Sequence, residues 1–167
     1  DLIVLGMVKQ QPLSAYDIQK QVEYRNISKW VKISTPSIYK KVISLEEKGL
    51  IKSVTVKDGN MPEKAVYSLT DSGKQEFEKL MIEISNEPIH IFLDFNAVIV
   101  NLHRLPKEKQ TVCVASIEKN VRQLKSYLSE NMNAKMQSNE IPDTAKAVLQ
   151  QQFVLVQAIE EWLSSIK

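Results

Sequence analysis

The sequence predicts a mainly α-helical protein that carries one small β-hairpin. Three observations predict it. The 167 residues include only four glycines, and long stretches repeat their apolar side chains at helical spacing. The period switches to alternation just after Gly49, over Ile51 to Val56, and again over Ala65 to Leu69. From Pro106 onward, long amphipathic patterns return to the helical repeat. A hydrophobic content of 43% suffices for a packed core, and the length allows one domain or two small ones.

Leu2 to Gln10 is apolar on most sides, which predicts a short helix buried on more than one face. Gly6 inside it costs about 1 kcal/mol of helix propensity. Close approach of another helix, such as one from a second subunit, would offset that cost. Pro12 ends the element. Ser14, with Asp17 three residues on, forms a capping-box pattern that opens a second helix. Ile18 and Val22 continue the buried stripe, while Tyr16, Gln19, Lys20 and Glu23 lie elsewhere.

The chain is organised around the stretch from Ser34 to Ile51. Thr35 is placed to cap a third helix, and Pro36 suits its first position because the missing N–H costs nothing there. Gly49 can take the left-handed conformation that ends it. Ile38, Val42 and Leu45 share one face, and Ser37, Tyr39, Lys40, Lys41 and Ser44 show on the other. Hydroxyls, a phenol and two ammonium groups near a helix N-terminus suit a nucleic-acid groove. They can donate to phosphate oxygens and base edges, and the helix dipole adds positive potential. This is the pattern of a recognition helix in a DNA-binding domain.

Between the two alternating runs, Asp58-Gly59-Asn60 is a turn signal, and the loop carries Lys57, Asn60 and Lys64 with Pro62 to stiffen it. A two-stranded hairpin alone is barely stable, so it must lie against the helices. Helix, turn, helix, connector, recognition helix and hairpin together predict a winged helix-turn-helix. Thr70 then caps a helix to about Ile84, with Phe77, Leu80, Met81 and Ile84 as its buried stripe. The DNA-binding domain is expected to span 1–84.

The remaining residues, 85–167, predict an α-helical dimerisation and possible effector-binding domain. The apolar density from Ile89 to Leu102 suggests a helix buried between layers. Pro106 starts a longer helix in which Val114, Ile117, Val121, Leu124 and Leu128 recur as a and d positions of a short coiled-coil seam. After the polar break Gln137-Ser138-Asn139-Glu140, Pro142-Asp143 starts a last helix. Its wide apolar face carries Val148, Leu149, Phe153, Val156, Ile159, Trp162, Leu163 and Ile166. A hairpin of the two helices covers one side of each but not all of it, which predicts a homodimer across a two-fold axis. The expected interface is Leu2, Leu5, Val114, Ile117, Val121, Leu124, Leu128, Val156, Ile159 and Leu163. An intramolecular bundle packed on the first domain is the alternative. A dimer would set two recognition helices about 34 Å apart, in successive major grooves.

The net charge of +2 hides an uneven distribution. From Lys29 to Lys64 eight lysines face four acids, whereas from Ser85 onward nine basic and nine acidic side chains cancel. The excess falls where a phosphate-binding surface needs it, although a solvated lysine face is the plainer alternative. The lone Cys113 excludes an internal disulfide framework and suits a reducing, cytoplasmic setting. No apolar run approaches the roughly 20 residues that cross a bilayer, and no signal peptide is evident. The chain begins at Asp1, not Met, so the true N-terminus is expected to lie outside this numbering.

No catalytic constellation stands out. His90 and His103 lie thirteen apart, outside any metal-binding spacing, and His90 with Asp94 at i, i+4 reads more readily as a hydrogen-bonded pair than as two ligands. Cys113 has no base nearby in sequence, and there is no phosphate-binding glycine loop. Neither an enzyme activity nor a metal or cofactor is expected. A ligand pocket is harder to dismiss: Trp30, Phe92, Phe95 and Trp162 could line one, with His90, Asp94 and Asn96 as orienting polar groups for a small aromatic or drug-like effector. Core packing is the commoner role of such aromatics.

Three blocks carry a resemblance. They are L-G-M-V-K-Q-Q-P-L-S-A-Y-D-I, S-I-Y-K-K-V-I-S-L-E-E-K-G-L-I, and M-P-E-K-A-V-Y-S-L-T-D-S-G. In this order and spacing they resemble the PadR family of bacterial transcriptional regulators, over roughly the first half of the chain. The third block is the most specific, since a generic winged helix would show only the second. Ala15 stands where the family usually has glycine, and Met61 replaces a frequent wing arginine, removing one expected phosphate contact.

The resemblance implies a homodimeric repressor that binds a palindromic double-stranded operator and dissociates when a small ligand binds. The recognition-helix reading then places Ser37, Tyr39 and Lys40 in the major groove, with Ser34 and Thr35 at that helix's start. Tyr16, Lys20 and Lys41 would hold phosphates, and Lys57, Asn60 and Lys64 the backbone or minor groove. A winged-helix regulator of another, MarR-like family would share this DNA chemistry. A winged-helix protein-interaction module is the other alternative; such modules often lack the basic wing, and operator binding that falls with salt would exclude it.

Overall fold

Helix α1 (Leu2–Gln10) covers the stretch predicted for it and buries Val4, Leu5, Met7 and Val8. The computed structural model describes residues 1–31, 33, 37–57, 63–138 and 141–166. Its chain divides into two compact units, Asp1–Ile89 and His90–Lys167. Leu5 has no exposed surface, so it serves the core of its own unit and cannot be the interface residue the sequence suggested. Leu2 stays half-buried. The neighbour that Gly6 admits is also internal. A Cβ there would sit 3.3 Å from Cε2 of Phe77, a residue of the unit's last helix, so no second subunit is needed to explain the glycine.

Past Pro12, Leu13–Ser14 forms a short strand β1, which the sequence reading missed, and Ser14 caps α2 (Ala15–Tyr24). The predicted capping box is complete. Ser14 Oγ accepts from the Asp17 N–H at 3.1 Å, and Asp17 Oδ2 accepts from the Ser14 N–H at 3.3 Å and from its hydroxyl at 2.6 Å. The Ser14 hydroxyl, first among several causes, holds the Asp17 carboxyl below its ordinary value. A depressed carboxyl stabilises the fold above its unfolded value, and that contribution fades as pH falls through the folded one. Ser14→Ala is expected to cost about 1–2 kcal/mol in a denaturant melt. Asp17→Asn should flatten the acid limb of the Tm–pH curve below about pH 4; an unchanged limb would remove Asp17 from the acid response.

A 3-10 turn (Ile27–Lys29) leads towards α3 (Ile38–Glu47), which buries Ile38, Val42 and Leu45 as its spacing required. Gly49 ends this region at φ +69°, in the left-handed conformation that the αL termination needs. The hairpin follows as β2 (Ile51–Val56) and β3 (Lys64–Leu69), antiparallel, with Ile51 opposite Leu69 and Val56 opposite Lys64. The strand order is β1-β3-β2, and Leu13 faces Tyr67. Helix α4 (Asp71–Asn86) is capped by Thr70, whose Oγ1 accepts from the Gly73 N–H at 3.0 Å and donates to the carbonyls of Gly49 and Leu50. Phe77 and Leu80 of α4 pack on the core. Met81 and Ile84 do not: both are about half exposed, so only part of the predicted stripe is buried.

The second unit corrects one prediction and reshapes another. Ile89–Leu102 is not one buried helix. Helix α4 stops before Pro88, which disfavours helical geometry at Glu87, and the latter is extended. Only α5 (Asn96–Ile99) and a 3-10 turn (Leu102–Arg104) form within the stretch, and Ile89 and Phe92 are 91% and 84% exposed. Helices α6 (Lys107–Lys135) and α7 (Asp143–Ser165) form as expected and pack on each other. Their seam buries Ile117, Val121 and Leu128 against Val156 and Leu163, with Ile159 packed on it. These five buried side chains were expected at a dimer interface; they are consumed within the protomer, because α7 lies on the face that the heptad spacing made apolar. Val114 remains half-buried and Leu124 is 48% exposed. No helix among the described residues is long and apolar enough to cross a membrane.

Candidate nucleic-acid interface

The N-terminal half of α3 shows a polar face because its buried residues all fall on the opposite side. Tyr39 is 45% exposed and Lys40 is exposed beside it, while Ser37 at the helix entry is half-buried. Lys41 is less available than the sequence implied: its ammonium lies 2.7 Å from Asp1 Oδ1, with Lys48 at 3.9 Å from the other oxygen. The expected cap Thr35, together with Ser34 and Pro36, lies outside the described residues, as do Asp58 to Pro62 with Asn60 of the wing. Lys32, Asn139 and Glu140 are likewise outside them.

Helix α2 adds Tyr16, 55% exposed, and Lys20, whose ammonium sits 4.8 Å from the Tyr16 ring centroid. The hydrogen bond to the Tyr16 phenol is the first cause that raises the Lys20 ammonium above its ordinary value, so the charge is secure. From the wing, Lys57 is exposed and Lys64 opens β3, its ammonium 3.7 Å from Asp17 Oδ2. One residue was overlooked. Ile43, one turn after Tyr39, is 53% exposed and belongs to no buried stripe. Its position four residues from Tyr39, off the Ile38–Val42–Leu45 face, was a legible signal.

Residues 4–79 match the family described as "Transcriptional regulator PadR-like family". The match falls within the first unit, which is similar to that family's domain over those residues. The negative transcriptional regulator PadR of Bacillus subtilis (strain 168) is 33% identical over 86 residues, 52% of this chain and 46% of that protein, so the match spans under half of the relative's length. Over the whole chain the fold is that of solved PadR structures. Bacillus subtilis PadR in complex with operator DNA superposes with a TM-score of 0.84 at 24% identity, covering 99% of this chain and 95% of the other. The same protein in complex with p-coumaric acid gives 0.83 at 24% identity, with 99% and 94% covered. The Vibrio cholerae virulence activator AphA gives 0.75 at 18%, again with 99% and 94% covered. The winged helix-turn-helix and the helical unit after it in sequence share the fold of those structures.

The aromatic residues singled out for an effector site divide between the units. Trp30 packs on the core of the first unit. In the second unit Phe95 stacks on Trp162 at 6.2 Å, and His90 stacks on the exposed Phe92 at 5.9 Å. The helix face expected to join His90 and Asp94 does not form, since both precede α5. Among the described residues no three His, Cys, Asp or Glu side chains gather as a metal site.

Proposed function

We propose that this protein is a homodimeric transcriptional repressor that binds a palindromic operator and releases it on binding a small aromatic ligand. The observation that carries the reading is the exposed Tyr39–Lys40 face of α3 inside the residues that match the PadR-like family. In it, Tyr39 and Lys40 donate to base edges in the major groove, and Ile43 offers an apolar contact of the kind that reads a thymine methyl. Ser37 stands at the entry of that helix. Tyr16, Lys20 and Lys41 hold phosphates, with Lys57, Asn60 and Lys64 on the backbone beside the wing. Lys41 and Lys64 each exchange a carboxylate partner for a phosphate when DNA arrives.

Support for the ligand class comes from Bacillus subtilis PadR, which has been crystallised with p-coumaric acid as well as with operator DNA. Exposed apolar side chains on α6 and α7, Val112, Leu124, Val154 and Leu155, support a partner helix surface from a second copy. Selection of duplex fragments by the purified chain, followed by titration at several salt concentrations, tests the reading. Tight binding to a palindrome that weakens with salt and reverses with p-coumaric acid or a related phenolic acid is expected. A stably monomeric chain that ignores duplex DNA at low ionic strength would refute it.

Lys64→Ala should weaken binding to operator and random duplexes alike and lower the salt slope by about one unit. Fluorescence anisotropy across a salt series reads that slope directly. A loss confined to operator DNA would move Lys64 from the backbone to the bases.

A further inference from the structure

Strand β2 is an edge of the sheet, so the groups on its outer side have no strand neighbour. Halfway along it, the Ser53 N–H donates to Glu46 Oε1 at 3.1 Å, and the Ser53 hydroxyl donates to the same oxygen at 2.5 Å. Glu46 lies in the last turn of α3, one turn past Val42 and two turns past Tyr39 on the same side of the helix. The carboxylate thus joins the end of the recognition helix to the middle of a wing strand, across the Leu50 turn. Its charge also reaches the second strand: after burial, it is what raises the phenol of Tyr67, the cross-strand partner of Ser53.

From the geometry we infer that Glu46 is a positioning residue, which fixes the angle of the wing to the recognition helix so that both meet one duplex. This rests on the DNA-binding reading above. Glu46 touches no DNA itself; a carboxylate on that surface would repel phosphate, and its two donors from Ser53 give it another occupation. The leverage is considerable. Lys57 lies four residues beyond Ser53, about 13 Å along an extended strand. A tilt of about 15° at the tie would therefore carry Lys57 about 3.5 Å, further than a charge-assisted hydrogen bond to phosphate tolerates.

The test combines Glu46→Ala, Glu46→Gln and Lys57→Ala in the full chain. In Glu46→Ala the Ser53 amide should exchange about tenfold faster or more with solvent, since its acceptor is gone. The salt slope of DNA binding should fall by about one unit as the wing contact is lost. Glu46→Gln retains a carbonyl acceptor for Ser53 and should recover most of both. In a Lys57→Ala background, Glu46→Ala should cost clearly less on DNA than it does in the parent chain, because much of its effect runs through the Lys57 contact. An unchanged Ser53 amide, or losses that add to those of Lys57→Ala, would overturn the role of Glu46 while leaving the regulator reading intact. A wild-type chain that ignores duplex DNA would overturn that reading, and this role with it.

Discussion

Gly73→Ala is expected to lower the melting temperature of the first unit by about 15 °C. A Cβ at that position would lie 1.9 Å from the Leu50 carbonyl oxygen and 2.9 Å from its carbon, a backbone obstacle that no rotamer change relieves. That carbonyl is the hub of the joint between hairpin and α4. It accepts the Thr70 N–H at 3.1 Å and the Thr70 hydroxyl at 3.0 Å, while Thr70 Oγ1 in turn accepts the Gly73 N–H. Displacing it forfeits a helix cap, about 1 kcal/mol, on top of an overpacking cost of about 1–3 kcal/mol. For a domain of this size each kcal/mol shifts the midpoint by about 4–8 °C. Gly49→Ala is the control. Nothing lies within 4 Å of its added Cβ, so only the cost of φ +69° applies, about 1 kcal/mol. Circular dichroism melts that place Gly73→Ala no lower than Gly49→Ala would refute the steric account.

Replacing Tyr39 and Lys40 together by alanine should cost about 100-fold or more on operator DNA and under tenfold on random duplex. Each good base-edge contact is worth about 1–3 kcal/mol of discrimination. A phosphate contact is blind to sequence and shows itself in the salt slope. The two side chains face away from Ile38, Val42 and Leu45, so the melt of the variant should match the parent within a few degrees. Anisotropy titrations on both duplexes, at two salt concentrations, separate these effects. Equal losses on operator and random DNA would reassign Tyr39 and Lys40 to the backbone.

Much of the first unit was legible because its signals are local. The capping box Ser14/Asp17 and the αL glycine at 49 each need only a few residues to act, and the structure contains both. The period change after Gly49 likewise placed the hairpin. Strand β1 escaped because two residues cannot show alternation; Leu13 and Ser14 become a strand only by pairing with Tyr67 and Val66. Gly6 announced a close neighbour but not its origin, which the fold resolves as Phe77 of α4.

Apolar density from Ile89 to Leu102 suggests a helix, yet the run lacks the period that would separate a helix from an irregular apolar segment. The residues around Pro88 instead run without regular structure. The heptad positions on α6 were real, yet spacing tells that a face is apolar and not which chain covers it. At the candidate interface, the composition of α3 points to Tyr39 and Lys40, and both are exposed. That Lys41 is held by Asp1, Lys64 by Asp17 and Ser53 by Glu46 depends on long-range packing, beyond any local pattern.

Because the α6–α7 seam closes within a single polypeptide, a nascent molecule can bury it as soon as α7 has left the ribosome. The contacts bridge a short connection, so chain-closure entropy is small and this step belongs to the fast, low-contact-order regime. Hairpin formation is then first order in protein, and pairing with another molecule is a separate second-order event. In the proposed dimer, each protomer would therefore close its own helical hairpin before it meets its partner.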